Sequence, residues 1–252
     1  AQHRADACQQ LTEGIRFGDV VVRADFKADD LVDFRAFRGQ HDGDLTALDK
    51  AGKLRKVYGG ATSIDFYTAD EKDIHTKHDL QITEKNLIAK KAASLVKPHD
   101  LIYIDAGTTT ELIIDHLTEK KATYITNGII HAQKLTDKGF NAFIIGGQLK
   151  KSTGAIIGTT SIENLQPYNF TKGFFGTNGI SLQAGFSTPD SVEACVKKTA
   201  LKHCQEAYVL ADSTKFDQIT PITFANLEDA IIITDILKDK KYLDYTNIME
   251  VL

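Results

Sequence analysis

From residue 101 onward, short apolar runs recur between polar stretches, at Leu101–Asp105, Thr123–Thr126, Ala142–Ile145, Gly173–Phe175, Ala207–Leu210 and Ala230–Thr234. Several are continuous rather than alternating, as in LIYI, AFII and AIIIT. A strand with one wetted face alternates apolar and polar residues, so unbroken runs of this kind indicate strands covered on both faces. Between them a helical period runs through Ile82–Val96, Thr109–Thr118, Asn127–Thr136 and Ser191–His203. Pro98 ends the first of these helices, and Pro189 with Asp190 opens the last. Strands alternating with helices predict the α/β class with a mainly parallel sheet.

Upstream the pattern changes. Residues 63–77 are polar and without period, which predicts a linker. Before it, Lys53–Ala61 (KLRKVYGGA) reads as a β-hairpin with basic flanks around a Gly-Gly turn, and Asp44–Ala51 as a short amphipathic helix with Leu45 and Leu48 on one face. Residues 1–43 show neither period for long. The expected organisation is a small unit over 1–62, a linker over 63–77 and a large α/β unit over 78–252.

The stretch IYIDAGTTTELIIDHL, Ile102–Leu117, carries the clearest chemistry. A buried strand leads into Asp105-Ala106-Gly107, then three threonines, then an amphipathic helix. Gly107 permits close approach of a ligand to the backbone, and Thr108, Thr109 and Thr110 place hydroxyls beside the free N–H groups and positive dipole end of the helix. An anion suits such a place. Taken alone, Thr109 could be only an N-cap and Gly107 only a turn residue. Other strand ends point the same way: Thr126-Asn127-Gly128, Gly146-Gly147 and Gly176-Thr177-Asn178-Gly179. In an open parallel sheet these ends lie along one edge, where ligands bind, so Asn127, Asn178 and Gly179 join the candidates for a polar cleft. Asp212 and Lys215 follow the fifth strand and add an acid and a base. Glu193 and Lys197 are spaced i, i+4, either as part of the cleft or as a surface pair.

Composition narrows the chemistry. The 252 residues are 42% hydrophobic and 25% charged, with a formal net charge of -4, so any contact with nucleic acid must come from a local basic patch. No apolar run reaches the length of a membrane span and the first residues carry charges unlike a secretory signal, which leads us to expect a cytoplasmic protein without membrane contact. Three cysteines, Cys8, Cys195 and Cys204, show no CxxC spacing, and the eight histidines, His75, His78, His116 and His131 among them, show no HExxH pattern. Neither a metal nor another cofactor is expected. No G-x-S-x-G elbow occurs, and no catalytic residue is assigned. Lys150-Lys151 and Lys240-Lys241 read as solvated loop ends. The chain starts at Ala1 and its one methionine is Met249, so altered residues are expected at the amino end.

Taken in order, the segments RKVYGGA, IDAGTTTE, TNG, GTNGISLQAGFSTPDSVEACVKK and ADSTKF form a series, and over about residues 44–235 the chain resembles the DeoR family of bacterial transcription regulators. The resemblance implies an N-terminal winged helix-turn-helix that binds operator DNA. It also implies a sensor domain related in fold to ribose-5-phosphate isomerase that binds a phosphorylated sugar. By the same resemblance Asp105, Gly107, Thr108, Thr109 and Thr110 surround the phosphate, with Asn178, Glu193, Lys197, Asp212 and Lys215 around the sugar. The departure lies at residues 37–45, FRGQHDGDL, where the family usually shows S-x-x-T-I-R-R-D-L; Asp42 and Gly43 replace both arginines. An acid repels DNA phosphates, and each glycine costs a helix about 1 kcal/mol relative to alanine. Arg38, Lys53, Arg55 and Lys56 are the remaining candidates for DNA contact.

The expectation is a repressor of sugar-metabolism genes whose operator affinity responds to a sugar phosphate, assembled as a homodimer or homotetramer because operators are two-fold. The alternative is a sugar-phosphate isomerase-like enzyme in which Asp212, Glu193 and Lys215 move protons.

Overall fold

The computed structural model describes residues 80–252 throughout and, before them, four short strands: β1 (Ile15–Phe17), β2 (Val20–Val22), β3 (Leu54–Val57) and β4 (Gly60–Ser63). The chain divides into two compact units, Ala1–Phe66 and Tyr67–Leu252. In the first, β1 pairs antiparallel with β2, a ladder that the sequence pattern did not announce. β3 pairs antiparallel with β4, Arg55 opposite Thr62 and Lys56 opposite Ala61, as the KLRKVYGGA pattern predicts. The helix expected at Asp44–Ala51, the linker segment beyond Ser63, Arg38 and Lys53 lie outside the described residues.

In the second unit, helix α1 (Ile82–Ser94) leads into β5 (Leu101–Ile104), α2 (Thr108–His116), β6 (Thr123–Thr126), α3 (Ile129–Asp137) and β7 (Asn141–Ile144). A hairpin of β8 (Gln148–Lys150) and β9 (Ala155–Ile157) and the helix α4 (Thr159–Leu165) then lead to β10 (Phe170–Gly176). After β11 (Gly179–Ser181) and β12 (Gly185–Thr188) come α5 (Ser191–Lys202) and β13 (Cys204–Leu210), then β14 (Ile222–Ala225), β15 (Ile231–Thr234) and β16 (Ile248–Glu250).

Seven strands form one sheet in the order β16-β15-β13-β10-β5-β6-β7, and every pairing in it is parallel. The unbroken runs of β5 and β15 follow from that arrangement, whereas AFII does not: β7 is the edge strand, and Phe143 and Ile144 are exposed. In β5, Tyr103 faces one core with Ile125, Phe175, Val209 and Ile232, and Ala194, Val196 and Ala200 of α5 pack onto it. Ile102 and Ile104 face the other core with Tyr124, Phe174, Tyr208 and Ile233, covered by Ile88 of α1, Ile113 of α2 and Leu135 of α3. Each such buried side chain contributes roughly 1.5–3 kcal/mol, which is why both faces must be apolar. The result is a three-layer α/β/α unit.

Two features extend the expected pattern. β10 and β13 are seven residues long, longer than the apolar runs Gly173–Phe175 and Ala207–Leu210 from which they were read, because residues ahead of those runs still pair, Phe170 with Cys204 and Lys172 with Glu206. A second, antiparallel sheet of β11-β12-β14 lies against the first core through Ile180, Phe186 and Phe224.

The strand order sets where the connections part. From β5 the chain moves to β6 and β7 on one side, and β10 returns to the opposite side of β5. The connections leaving β5 and β10 therefore diverge at the carboxyl ends of these two strands, the place where open parallel sheets generally bind ligands. Asp105 directly follows the first and Gly176 ends the second.

Candidate functional site

Asp105 closes β5 with no exposed surface. Its backbone N–H donates to the Phe174 carbonyl at 3.0 Å, and its carboxylate Oδ2 accepts from the Gly176 N–H at 3.0 Å. Lys197 of α5 donates to the same Oδ2, and also to the Gly176 carbonyl at 3.2 Å. One carboxylate thus holds the two diverging strands and a helix together. Its other oxygen, Oδ1, is enclosed and has no hydrogen-bond partner among the described residues. Burial pushes the Asp105 carboxyl above the usual carboxylate range, against the Lys197 ammonium, which holds it down.

Past Asp105 the chain turns at Gly107 into α2, which has no side-chain cap. The N–H groups of its first turn, at Thr108 to Thr110, therefore keep the donor capacity and positive dipole end that suit an anion. The three threonines, equivalent in the sequence, do different things. Thr110 is fully buried, and its hydroxyl sits 2.6 Å from the Asp105 carbonyl and 2.9 Å from the Gly107 carbonyl. It braces the loop from within. Thr108 accepts from Lys85 Nζ at 3.3 Å. Gly107 is in extended backbone, so its small size answers to space: a Cβ there would meet the Thr110 hydroxyl at 3.1 Å.

Neighbouring strand ends support this loop. Asn127, fully buried at the end of β6, accepts from the Ala106 N–H at 2.8 Å and donates to the Ile156 carbonyl at 3.3 Å, tying the loop to β9. At the end of β10, Asn178 accepts from Thr188 Oγ1 at 3.4 Å. Gly179 is a packing position, because a Cβ would lie 2.4 Å from the Gln218 carbonyl oxygen.

Glu193 and Lys197 are both buried rather than a surface pair. Glu193 lies 4.0 Å from Lys197 and receives Lys150 at 3.0 Å. Lys150 also meets Asp190 at 3.0 Å, so it is an ion-pairing residue of the β8–β9 hairpin and not the solvated loop end its sequence suggested. Asp190 caps α5 through the N–H groups of Val192 and Glu193. Burial pushes its carboxyl up, but those N–H groups and Lys150 outweigh that and hold it below the usual range. Asp212 is likewise a cap, accepting from the N–H and hydroxyl of Thr214. Lys215 follows in the same turn, half-buried, and makes no ion pair among the described residues.

Two residues that sequence reasoning did not select belong to this place. Lys85 of α1 is 4% exposed. It stands at i to Ile88, Ala89 and Ala92, so a lysine on the apolar stripe was the available signal. His131 of α3 is 4% exposed, with Nε2 3.1 Å from the Gly107 carbonyl oxygen. Burial pushes its pKa down to about 4, against Glu111 and the Gly107 hydrogen bond, which raise it, while Lys134 and Lys197 add to the lowering. Among the described residues no cluster of side chains could hold a metal ion. A separate groove of about 470 Å³ lies at the opposite, amino edge of β13 and β15, and Glu206, Glu228, Asp229 and Asp244 line it, a setting that repels anions.

Residues 80–236 match the family model of the DeoR C terminal sensor domain. The chain belongs to the DeoR family. Its curated relatives include proteins named as transcriptional regulators and repressors. The DeoR-family chain is 42% identical over 208 residues to the uncharacterized HTH-type transcriptional regulator FruR of Bacillus subtilis, covering 82% of this chain and 81% of that one. It is 33% identical to the lactose phosphotransferase system repressor of Streptococcus mutans, over 83% of this chain and 84% of that one. The lactose phosphotransferase system repressor of Staphylococcus aureus is 29% identical, over 93% and 87%. Among solved structures, ribose 5-phosphate isomerase A from Neisseria gonorrhoeae overlays 59% of this DeoR-family chain and 57% of its own, at 14% identity and a TM-score of 0.41. That overlap is too slight to carry an argument. Among the described residues no helix is long and apolar enough to cross a membrane.

Proposed function

We propose that this DeoR-family regulator is a repressor of sugar-metabolism genes, and that a phosphorylated sugar bound at the carboxyl ends of β5 and β10 controls its grip on operator DNA. One observation carries the effector reading: α2 starts without a side-chain cap directly after Gly107, and Lys85 reaches the Thr108 hydroxyl at that start at 3.3 Å. The helix start offers N–H donors and a positive dipole end to a phosphate, and the lysine adds a positive charge beside it. Lys85, Thr108, Thr109 and Lys215 would complete the grip on the phosphorylated end, with Asn178 toward the sugar, while Asp105, Thr110, Asn127, Glu193 and Lys197 hold the frame.

The acids of the site are engaged, which supports binding without turnover. Asp105 is paired with Lys197, Glu193 with Lys150, and Asp212 with Thr214. A general base needs a carboxylate open to the proton it removes.

The DNA-binding part would be the unit of residues 1–62, joined through the 63–77 segment to the sensor of 78–252. Arg55 and Lys56 on the β3–β4 hairpin, together with Arg38 and Lys53, would meet phosphates, and a homodimer or homotetramer would match a two-fold operator. A thermal-shift and turnover assay with a panel of pentose and hexose phosphates tests the sensor. A phosphorylated sugar at 100 times its Kd should stabilise the fold by about 2.7 kcal/mol, its unphosphorylated form should not, and no product should form. Stabilisation absent across the whole panel, or conversion of a sugar phosphate, would overturn it. A gel shift on the DNA upstream of the protein's own gene, at stated salt with and without the stabilising sugar, tests the output.

A further inference from the structure

His131 reaches the phosphate loop from a different element. Its helix, α3, follows β6, while Gly107 and Thr110 belong to the turn after β5. A single ring nitrogen, Nε2, has three neighbours there: the Gly107 N–H at 3.4 Å, the Gly107 carbonyl oxygen at 3.1 Å and the Thr110 hydroxyl at 3.3 Å. These neighbours make incompatible demands. The N–H needs a lone pair, whereas the carbonyl needs a proton, and in a neutral imidazole Nε2 supplies one or the other. The Thr110 hydroxyl does not relieve the conflict, since its own proton is drawn to the Asp105 carbonyl at 2.6 Å, leaving its oxygen as one more acceptor facing the ring.

We propose that His131 is a positioning residue that senses occupancy of the anion loop: without an anion Nε2 shares its lone pair with the Gly107 N–H, and with one bound it becomes the donor to the Gly107 carbonyl. The inference rests on the reading of this loop as a phosphate site. An anionic oxygen is a stronger acceptor for the Gly107 N–H than a distant ring nitrogen. Once it takes that N–H, the ring is free to carry its proton on Nε2, where the Gly107 carbonyl and the Thr110 oxygen both accept it. The peptide of Gly107 is then fixed on both sides, by ligand and by imidazole.

The ring packs closely on Gly128, where a Cβ would stand 2.4 Å from His131 Nδ1. Ionisation does not resolve the conflict near neutrality. Burial keeps the imidazole neutral, and the charged groups facing it from α2, α3 and α5, which are Glu111, Lys134 and Lys197, leave it so. Tautomer, not charge, is therefore the variable. Sequence reading placed His131 among histidines without ligand spacing, and only its position against Gly107 gives it this role.

The test is a titration of the 15N-labelled protein at neutral pH with inorganic phosphate, then with sugar phosphates, reading the ring nitrogens of His131 and the amides of Gly107 to Thr110. Saturation should move the His131 ring to the Nε2–H tautomer. Replacing His131→Leu should weaken the anion at least about tenfold, whereas His131→Gln, which keeps an N–H near the Nε2 position, should stay within about threefold. Amides that shift on binding while the His131 ring signals stay fixed would overturn this inference alone, as would equal affinity in the leucine variant. Amides that no phosphate compound moves would overturn the loop's assignment and this inference together. The ring titration uses the parent protein, so it decides even where the leucine variant does not fold.

Discussion

Lys197 and Asp105 meet 92 residues apart in sequence, and their ion pair is closed off from solvent where β5, β10 and α5 converge. A buried pair contributes little net stability when intact, because desolvating both charges offsets their attraction. Breaking it is another matter, since the charge left behind has no water to turn to.

Lys197→Met should therefore cost about 3–5 kcal/mol by chemical denaturation at pH 7. Asp105 already sits above its ordinary value of 3.8 because it is buried, and loss of Lys197 should raise it further. A carboxyl raised on folding favours the protein at low pH and costs stability as pH rises through its folded pKa. The deficit of the variant relative to the parent should thus shrink as pH is lowered from 8 to 5 (about three units). A gap that stays constant or widens would show that Asp105 is not the group left stranded. Adding Asp105→Asn should recover part of the loss.

The three threonines of the loop should separate in two assays. Thr110→Ala removes a buried hydroxyl from between two carbonyls and should lower stability by about 1 kcal/mol. Thr108→Ala and Thr109→Ala should leave the unfolding midpoint near that of the parent and weaken a stabilising sugar phosphate several-fold. Equal effects of all three on stability would contradict the arrangement.

Gly128→Ala should destabilise the protein, and most of the cost should depend on His131. The backbone at Gly128 has φ of -101°, which alanine adopts without strain, so the penalty comes from the 2.4 Å approach of the new Cβ to the imidazole. In a His131→Ser background the same substitution should be nearly neutral. A double-mutant cycle with coupling below about 0.5 kcal/mol would sink this account.

Acid sensitivity gives a fourth measurement. Burial holds His131 at about 4 against an ordinary 6.5. The unfolded chain takes up a proton that the folded one refuses, so this residue's contribution is complete above 6.5 and is lost as pH falls toward 4. Across that window the loss approaches about 3 kcal/mol. His131→Gln should flatten the stability profile between those limits relative to the parent, and profiles that run parallel would contradict it.

Much of the fold could be read from residue order. Continuous runs such as LIYI required two covered faces, hence a parallel sheet under helices, and the Asp-Ala-Gly-Thr-Thr-Thr turn marked a candidate anion loop because glycine and hydroxyls at a helix start are local chemistry. The leading residues of β10, Phe170 to Lys172, and the second sheet escaped notice, since pairing partners far away in sequence, not periodicity, make those segments strands.

The sequence by itself determined the class of the fold, the location of the loop and the ordered motifs that the family shares, because those depend on neighbours within a few residues. Tertiary structure alone decided what each residue does. Lys197 reaches Asp105 across 92 positions, His131 touches a glycine 24 positions away, and Thr110 turns inward although two adjacent threonines look the same on paper. Burial and partner decide such roles, and both are properties of which chain segments the sheet order brings together.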